Sequence, residues 1–122
     1  LKDGEPYMVF GTPGGDQQDQ WSLHLFLGHV HFGLNLQEAI DAPGFSTAHF
    51  PNSFYPRETD IGHLALEARF PRETIEALIK KGHKVSVDTE WSLGRMTAAS
   101  KNGEILKAAA NPRFMQGYAI GR

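Results

Sequence analysis

Tyr7-Met8-Val9-Phe10-Gly11-Thr12-Pro13-Gly14-Gly15-Asp16-Gln17-Gln18-Asp19 passes from an apolar segment through a glycine-proline break into a polar segment that opens a helix. Tyr7 to Phe10 reads as a buried strand, placed after the Asp3-Gly4 turn signal as the second arm of a hairpin whose first arm is missing. Gly11 to Gly15 ends regular structure. Asp16 then offers a helix N-cap, and Asp19 puts a carboxylate in the first turn, where the helix dipole favours it. Two adjacent glycines between a strand and a helix let the backbone take positive φ and turn its N–H groups outward. Such groups suit an anion or a developing oxyanion. A plain tight turn is the simpler account of the same residues. The stretch is not a phosphate-binding loop, because the Gly-Lys-Ser/Thr ending is absent, nor a dinucleotide fingerprint, because the third glycine is misplaced.

Downstream, Leu23, Phe26, Leu27, Val30 and Leu34 recur at helical spacing, so the predicted helix runs from Gln17 toward Gly33 with these residues inward. A second helix starts at the cap Asn35, buries Leu36, Ala39 and Ile40, and stops at Pro43-Gly44. Phe45 to Phe50, Ser53 to Tyr55 and Leu64 to Phe70 read as strands, with an exposed loop from Pro56 to Gly62. Arg72 to Lys81 is a surface helix with Ile75, Leu78 and Ile79 inward and Gly82 closing it. Lys84 to Asp88, Arg95 to Ser100 and Ile105 to Ala110 are strand-like, and Asn102-Gly103 is a hairpin signal. The order β-α-α-β-β-α-β-β-β is an α/β (α+β) arrangement with helices covering an antiparallel sheet, and all 122 residues are expected to form a single domain.

Composition narrows the function. The chain carries 12 Lys+Arg against 14 Asp+Glu, a net charge of −2 with histidine neutral, which makes no case for nucleic acid or an anionic membrane as partner. No apolar run reaches the ~18–20 residues of a membrane-spanning helix. Cysteine is absent, which excludes disulfides and thiolate metal sites. The first residues lack both an initiator methionine and a signal peptide's apolar stretch, so the chain is expected to be part of something longer.

Other candidates have ordinary explanations. His29 and His31 project about 200° apart on a helix, and His24 and His31 sit roughly 10 Å apart along it, so no metal is expected. Lys80, Lys81 and Lys84 read as charge complementing a helix C-terminus. Arg57-Glu58 and Arg72-Glu73 read as solvated pairs. Trp21 and Trp91 read as packing anchors. There is no Gly-x-Ser-x-Gly elbow, and Thr12 has no neighbouring base, so the chain is not expected to hold a complete active site.

Taken in order, several segments resemble the γ-glutamyltranspeptidase family. Gly11-Thr12-Pro13-Gly14-Gly15 is similar to its Gly-Ser-Pro-Gly-Gly motif, and Gly33 to Pro43 to its Gly-Met-Asn-x-x-Glu-Ala-x-x-Ala-Pro segment. Leu78 to Val85 resembles its Leu…Gly-His-x-Val stretch, and Asn111-Pro112-Arg113 its Asp-Pro-Arg. The resemblance implies an N-terminal-nucleophile (Ntn) hydrolase: an αββα sandwich of antiparallel sheets, of which this chain would be the C-terminal portion of the small subunit. It implies self-cleavage of a precursor, a new N-terminal threonine that attacks γ-glutamyl amides such as glutathione, and Gly14 and Gly15 as the oxyanion-hole donors. The threonine and the glutamyl-binding residues would lie upstream of Leu1. The implied partners are therefore that upstream part of the precursor and the small-molecule substrate, with self-association of the isolated piece; no cofactor is implied. Thr12 stands where the family usually has serine, and Gly44 where it commonly has arginine, which opens the alternatives of a divergent amide acylase or an inactive binding domain.

Overall fold

The computed structural model describes residues 1–115 and 117–121. Its elements are β1 (Met8–Gly11), α1 (Gln17–Val30), α2 (Leu36–Asp41), β2 (Phe45–Thr47), β3 (His63–Glu67), α3 (Arg72–Lys80), β4 (Lys84–Asp88), β5 (Thr97–Asn102) and β6 (Ile105–Ala110), followed by a 3-10 turn at Arg113–Met115. They form two three-stranded sheets, β1-β5-β6 and β2-β3-β4.

The first sheet is antiparallel throughout; β5 and β6 form a hairpin whose turn falls one residue beyond the signal, at Gly103-Glu104, with Asn102 paired to Ile105 and Gly103 at φ +60°. Its alternating pattern sorts two faces. Phe10, Ala98 and Ala109 pair across the strands in one row that packs on Leu25, Leu36, Ala39 and Ile40 of the two helices. The adjacent row, Val9-Ala99-Ala108, faces away from the helices, and Val9 is 69% exposed. The predicted strand at 7–10 is thus shifted by one residue and only half-buried. Among the described residues its partner is β5, and Asp3-Gly4 closes only the single Lys2–Glu5 bridge.

The second sheet departs from the antiparallel expectation at one pair: β3 and β4 run parallel, with His63 opposite Lys84 and Glu67 opposite Asp88. Parallel neighbours need a crossover, and α3 supplies it. The predicted strand at Ser53–Tyr55 is absent, and Phe45–Phe50 shortens to β2. Residues 48–60 close on themselves instead, through Asn52 N–H to the Glu58 carbonyl (2.8 Å) and Asp60 N–H to the Ala48 carbonyl (2.9 Å). Pro51 and Pro56 have no N–H to offer a ladder.

α1 presents its core with a different face from the one its periodicity suggests. Leu25 and Gly28 are buried, whereas Leu23, Phe26 and Val30 are exposed by 53%, 38% and 43%. The helix carries a second stripe, Trp21-Leu25-Gly28, and the stripe with glycine wins because it allows α2 to come close. A methyl at Gly28 would lie 3.3 Å from the Ala39 β-carbon. α3 is shallower: Ile75 and Leu78 are half-buried and Ile79 is 53% exposed. Gly82, at φ +95°, closes it as expected. Arg72 bonds Glu76 at 2.7 Å rather than the adjacent Glu73, and Lys84 bonds Asp60 at 2.9 Å. Neighbours one position apart on a helix do not face each other, and those four apart do.

α2 begins with a reciprocal cap. The Asn35 side chain accepts from Glu38 N–H at 2.9 Å, and the Glu38 carboxylate accepts from Asn35 N–H at 2.8 Å. Asn35→Ala is expected to lower stability by about 1 kcal/mol, read from urea denaturation of the whole protein, with Asn35→Asp close to neutral. Equal losses for both substitutions would contradict the cap.

Candidate active-site turn

β1 delivers the chain to Gly11, and a dense set of short bonds then shapes the turn. The Gln18 side chain donates to the Thr12 carbonyl (2.9 Å), Gln18 N–H donates to the Gly15 carbonyl (3.1 Å), and the Thr12 hydroxyl donates to the Pro13 carbonyl (2.8 Å). Gly14 takes φ +144°, a conformation that side chains disfavour. The N–H groups of Gly14 and Gly15 donate to no acceptor among the described residues. They stand in the last residues before α1, where unpaired N–H groups can receive negative charge.

Close packing requires both glycines. A methyl on Gly14 would lie 3.2 Å from Trp21 Cζ3, and one on Gly15 would lie 3.2 Å from Phe54 Cε2. Phe54 gave no sequence signal as a neighbour of the turn; long-range folding of the 48–60 loop brings it there. Asp16 is also used differently from the expectation. Its backbone is already helical (φ −63°, ψ −18°) and its carboxylate makes no cap. It accepts instead from Ser53 N–H at 2.6 Å, 37 positions away, and this bond holds the carboxyl below the ordinary carboxylate range.

The fully buried Glu67 accepts six hydrogen bonds. Its Oε1 accepts from Ser92 N–H, Leu93 N–H and Arg113 Nε at 2.9, 2.9 and 2.6 Å. Its Oε2 accepts from Gly44 N–H, Arg69 Nη2 and Arg113 Nη2 at 2.8, 2.8 and 2.7 Å. Burial alone would raise its pKa, but Arg113, the Gly44 and Leu93 amides and Arg69 outweigh that and hold it down at about 2. Arg113, 3% exposed, also donates to the carbonyls of Ile40 (2.8 Å) and Ala42 (2.9 Å) at the end of α2. Trp91 lies under the Arg69 guanidinium at 3.5 Å and is 41% exposed, more a lid on this cluster than a core anchor. A side chain at Gly44 would meet the Leu93 carbonyl oxygen at 2.8 Å, so this backbone is closed to the arginine common in the resembled family.

The histidines serve separate local structures. His29 bonds the Tyr7 hydroxyl (2.9 Å) and the Leu34 carbonyl (2.8 Å), and His63 bonds Ser86 (3.0 Å). His24 packs on Phe45 with ring centroids 3.7 Å apart and planes tilted by 31°, and burial pushes its pKa down to about 4. Among the described residues no three of His, Asp and Glu gather where a metal could bind. A cavity of 350 Å³ lies between α1 and the 42–45 and 93–96 segments, lined chiefly by apolar side chains including Trp21, Leu25 and Met96.

A family model described as Gamma-glutamyltranspeptidase matches residues 1–121. The chain is 28% identical, over 99% of its length, to a glutathione hydrolase proenzyme of Escherichia coli strain K12, and covers 19% of that protein. It is 34% identical, over 99% of its length, to an oxamate amidohydrolase proenzyme of Klebsiella pneumoniae subsp. pneumoniae, and covers 22% of it. All of the chain superposes on a solved structure of LmbA2991HD at TM-score 0.91 and 51% identity, covering 22% of that chain. The chain therefore spans about a fifth of the length of these relatives.

Proposed function

Because the chain belongs to the gamma-glutamyltranspeptidase family, we propose that it is the C-terminal portion of the small subunit of a self-cleaving Ntn-hydrolase precursor. In this reading it supplies the oxyanion hole for amide hydrolysis or transfer. The observation that carries it is the free N–H pair of Gly14 and Gly15 at the start of α1. The threonine hydroxyl, outside this chain, gives its proton to the threonine's own amino group and attacks the amide carbon. Negative charge develops on the carbonyl oxygen, where the two N–H groups receive it. The C–N bond then breaks, the amine leaves with the transferred proton, and an ester remains for water or an acceptor amine to cleave. The uncovered Val9-Ala99-Ala108 face of the first sheet supports the same reading, since an αββα sandwich stacks its second sheet there. That face is also where the isolated piece would self-associate.

The substrate in this proposal is a γ-glutamyl amide such as glutathione. A second reading, hydrolysis of another amide, is favoured by the closed backbone at Gly44 and by the likeness to an oxamate amidohydrolase. The test is a denaturing gel of the expressed precursor beside assays with L-γ-glutamyl-p-nitroanilide and with oxamate. Two bands with release of nitroaniline support the first reading; two bands with ammonia from oxamate alone support the second. A single uncleaved band with neither activity defeats both and leaves a binding domain.

A further inference from the structure

We propose that Trp21 and Phe54 form an aromatic clamp, one ring packed at each glycine, that fixes the direction of the Gly14 and Gly15 N–H groups, so that both are positioning residues. The inference rests on the oxyanion reading above and goes beyond it by naming what holds the donors still. Glycine is the most conformationally free residue, and a donor pair works as an oxyanion hole only if it already points at the developing charge. Two adjacent glycines therefore need outside restraint.

Each glycine has a ring of its own packed against it. Trp21 reaches the turn with the far end of its indole: a methyl on Gly14 would lie 3.2 Å from Cζ3 and 3.9 Å from Cε3. The other end of the same ring is packed against Gly94, where a methyl would lie 3.6, 3.7 and 3.8 Å from Cγ, Cδ2 and Cδ1. The indole thus spans from Gly94 to Gly14, and a phenylalanine ring would leave the outer contact empty. Its Nε1 is buried with no partner among the described residues, a cost that a hydrocarbon ring would avoid, so size and shape account for the residue better than hydrogen bonding does. Gly94 follows Ser92 and Leu93, whose N–H groups are held at 2.9 Å by Glu67, so the ring rests on a loop anchored to that buried carboxylate. At the next residue, Phe54 meets Gly15 at 3.2 Å by the same measure. Its loop is tied to the turn by the 2.6 Å bond from Ser53 N–H to Asp16. Phe54 N–H also donates to the Asn52 side chain at 2.8 Å. Phe54 is 65% exposed, so removing its ring takes little from the core.

The test uses the whole processed protein, with L-γ-glutamyl-p-nitroanilide and oxamate as probes. Phe54→Ala is expected to lower kcat about tenfold to a hundredfold, with KM within twofold and the urea midpoint unmoved, and Phe54→Tyr to restore turnover. Trp21→Phe should lower kcat in the same way. Both should weaken a boronic acid that mimics the tetrahedral intermediate more than they weaken substrate. A raised KM with unchanged kcat for Phe54→Ala would make the ring a substrate contact and overturn the clamp, as would turnover unaffected by both substitutions. Gly15→Ala, measured alongside, separates the two levels. If it cuts turnover while Phe54→Ala and Trp21→Phe do not, the clamp alone falls. If it too is silent, or if the unaltered protein cleaves neither probe, the oxyanion reading falls and takes the clamp with it.

Discussion

Gly15→Ala and, separately, Gly14→Ala are expected to cut amide turnover by the whole protein about 10²–10³-fold, the usual effect of losing one oxyanion donor. Neither substitution deletes an N–H group, so the loss comes from displacement. At Gly15 the new methyl enters the space of Phe54, 3.2 Å away, and either the ring or the turn must move. At Gly14 two effects combine: the methyl faces Trp21 at 3.2 Å, and φ +144° is unfavourable for any residue with a β-carbon. Gly14→Ala should therefore be the more damaging of the two. In the proposed role the lost contact strengthens in the transition state, so kcat should fall while KM changes little. Steady-state kinetics beside a urea titration decides the matter. Full turnover by a folded Gly14→Ala protein would remove these glycines from the mechanism and return them to the role of a tight turn.

The second large effect concerns stability. Arg113→Met is expected to cost about 3–5 kcal/mol, because it strips the bidentate partner from a fully buried carboxylate. Replacing a buried ion pair by apolar residues is often neutral elsewhere, but not here. Glu67 also satisfies the N–H groups of Gly44, Ser92 and Leu93, and a double change to methionine would leave all three unpaired. The Glu67→Met/Arg113→Met protein should be no more stable than Arg113→Met alone; a return to the original urea midpoint would show that the backbone bonds matter little.

The same carboxylate sets an acid limit. A folded pKa held at about 2 against an ordinary 4.5 means that its stabilisation is complete above pH 4.5 and is lost as pH falls toward 2. The difference corresponds to ~3 kcal/mol. His24 acts earlier with the same sign. Its folded pKa of about 4 lies below the ordinary 6.5, so the unfolded chain takes the proton first and stability declines from pH 6.5 downward. Urea midpoints from pH 7 to 3 should show two successive declines, and His24→Phe should abolish only the first.

Much of this was legible in the chain itself. The Asn35 cap and the Gly82 helix end stand where short-range chemistry places them, and the β5–β6 hairpin turns one residue beyond its signal, at Gly103-Glu104. The ordered family motifs, from Gly11 to Arg113, carry the family assignment in the sequence itself; the glycine pair is marked there only as a candidate, by its position between a strand and a helix. Asp16 shows where such reasoning stops. A carboxylate at a helix start reads as a cap, yet a backbone N–H from a distant loop competes for it and wins. α1 shows the same limit, since two apolar stripes satisfy one period and only the approach of α2 to Gly28 chooses between them.

What the sequence determined by itself was the kind and order of most elements, and the motif that assigns the family. Propensity, capping and periodicity act within a few residues, and each leaves a local mark. The tertiary structure alone decided that β3 and β4 run parallel, that Glu67 gathers six donors from four parts of the chain, and that Trp21 and Phe54 close on the two glycines. Those features are partnerships between residues far apart in the chain. Burial and close packing choose such partners, and neither is written at the position of any one of them.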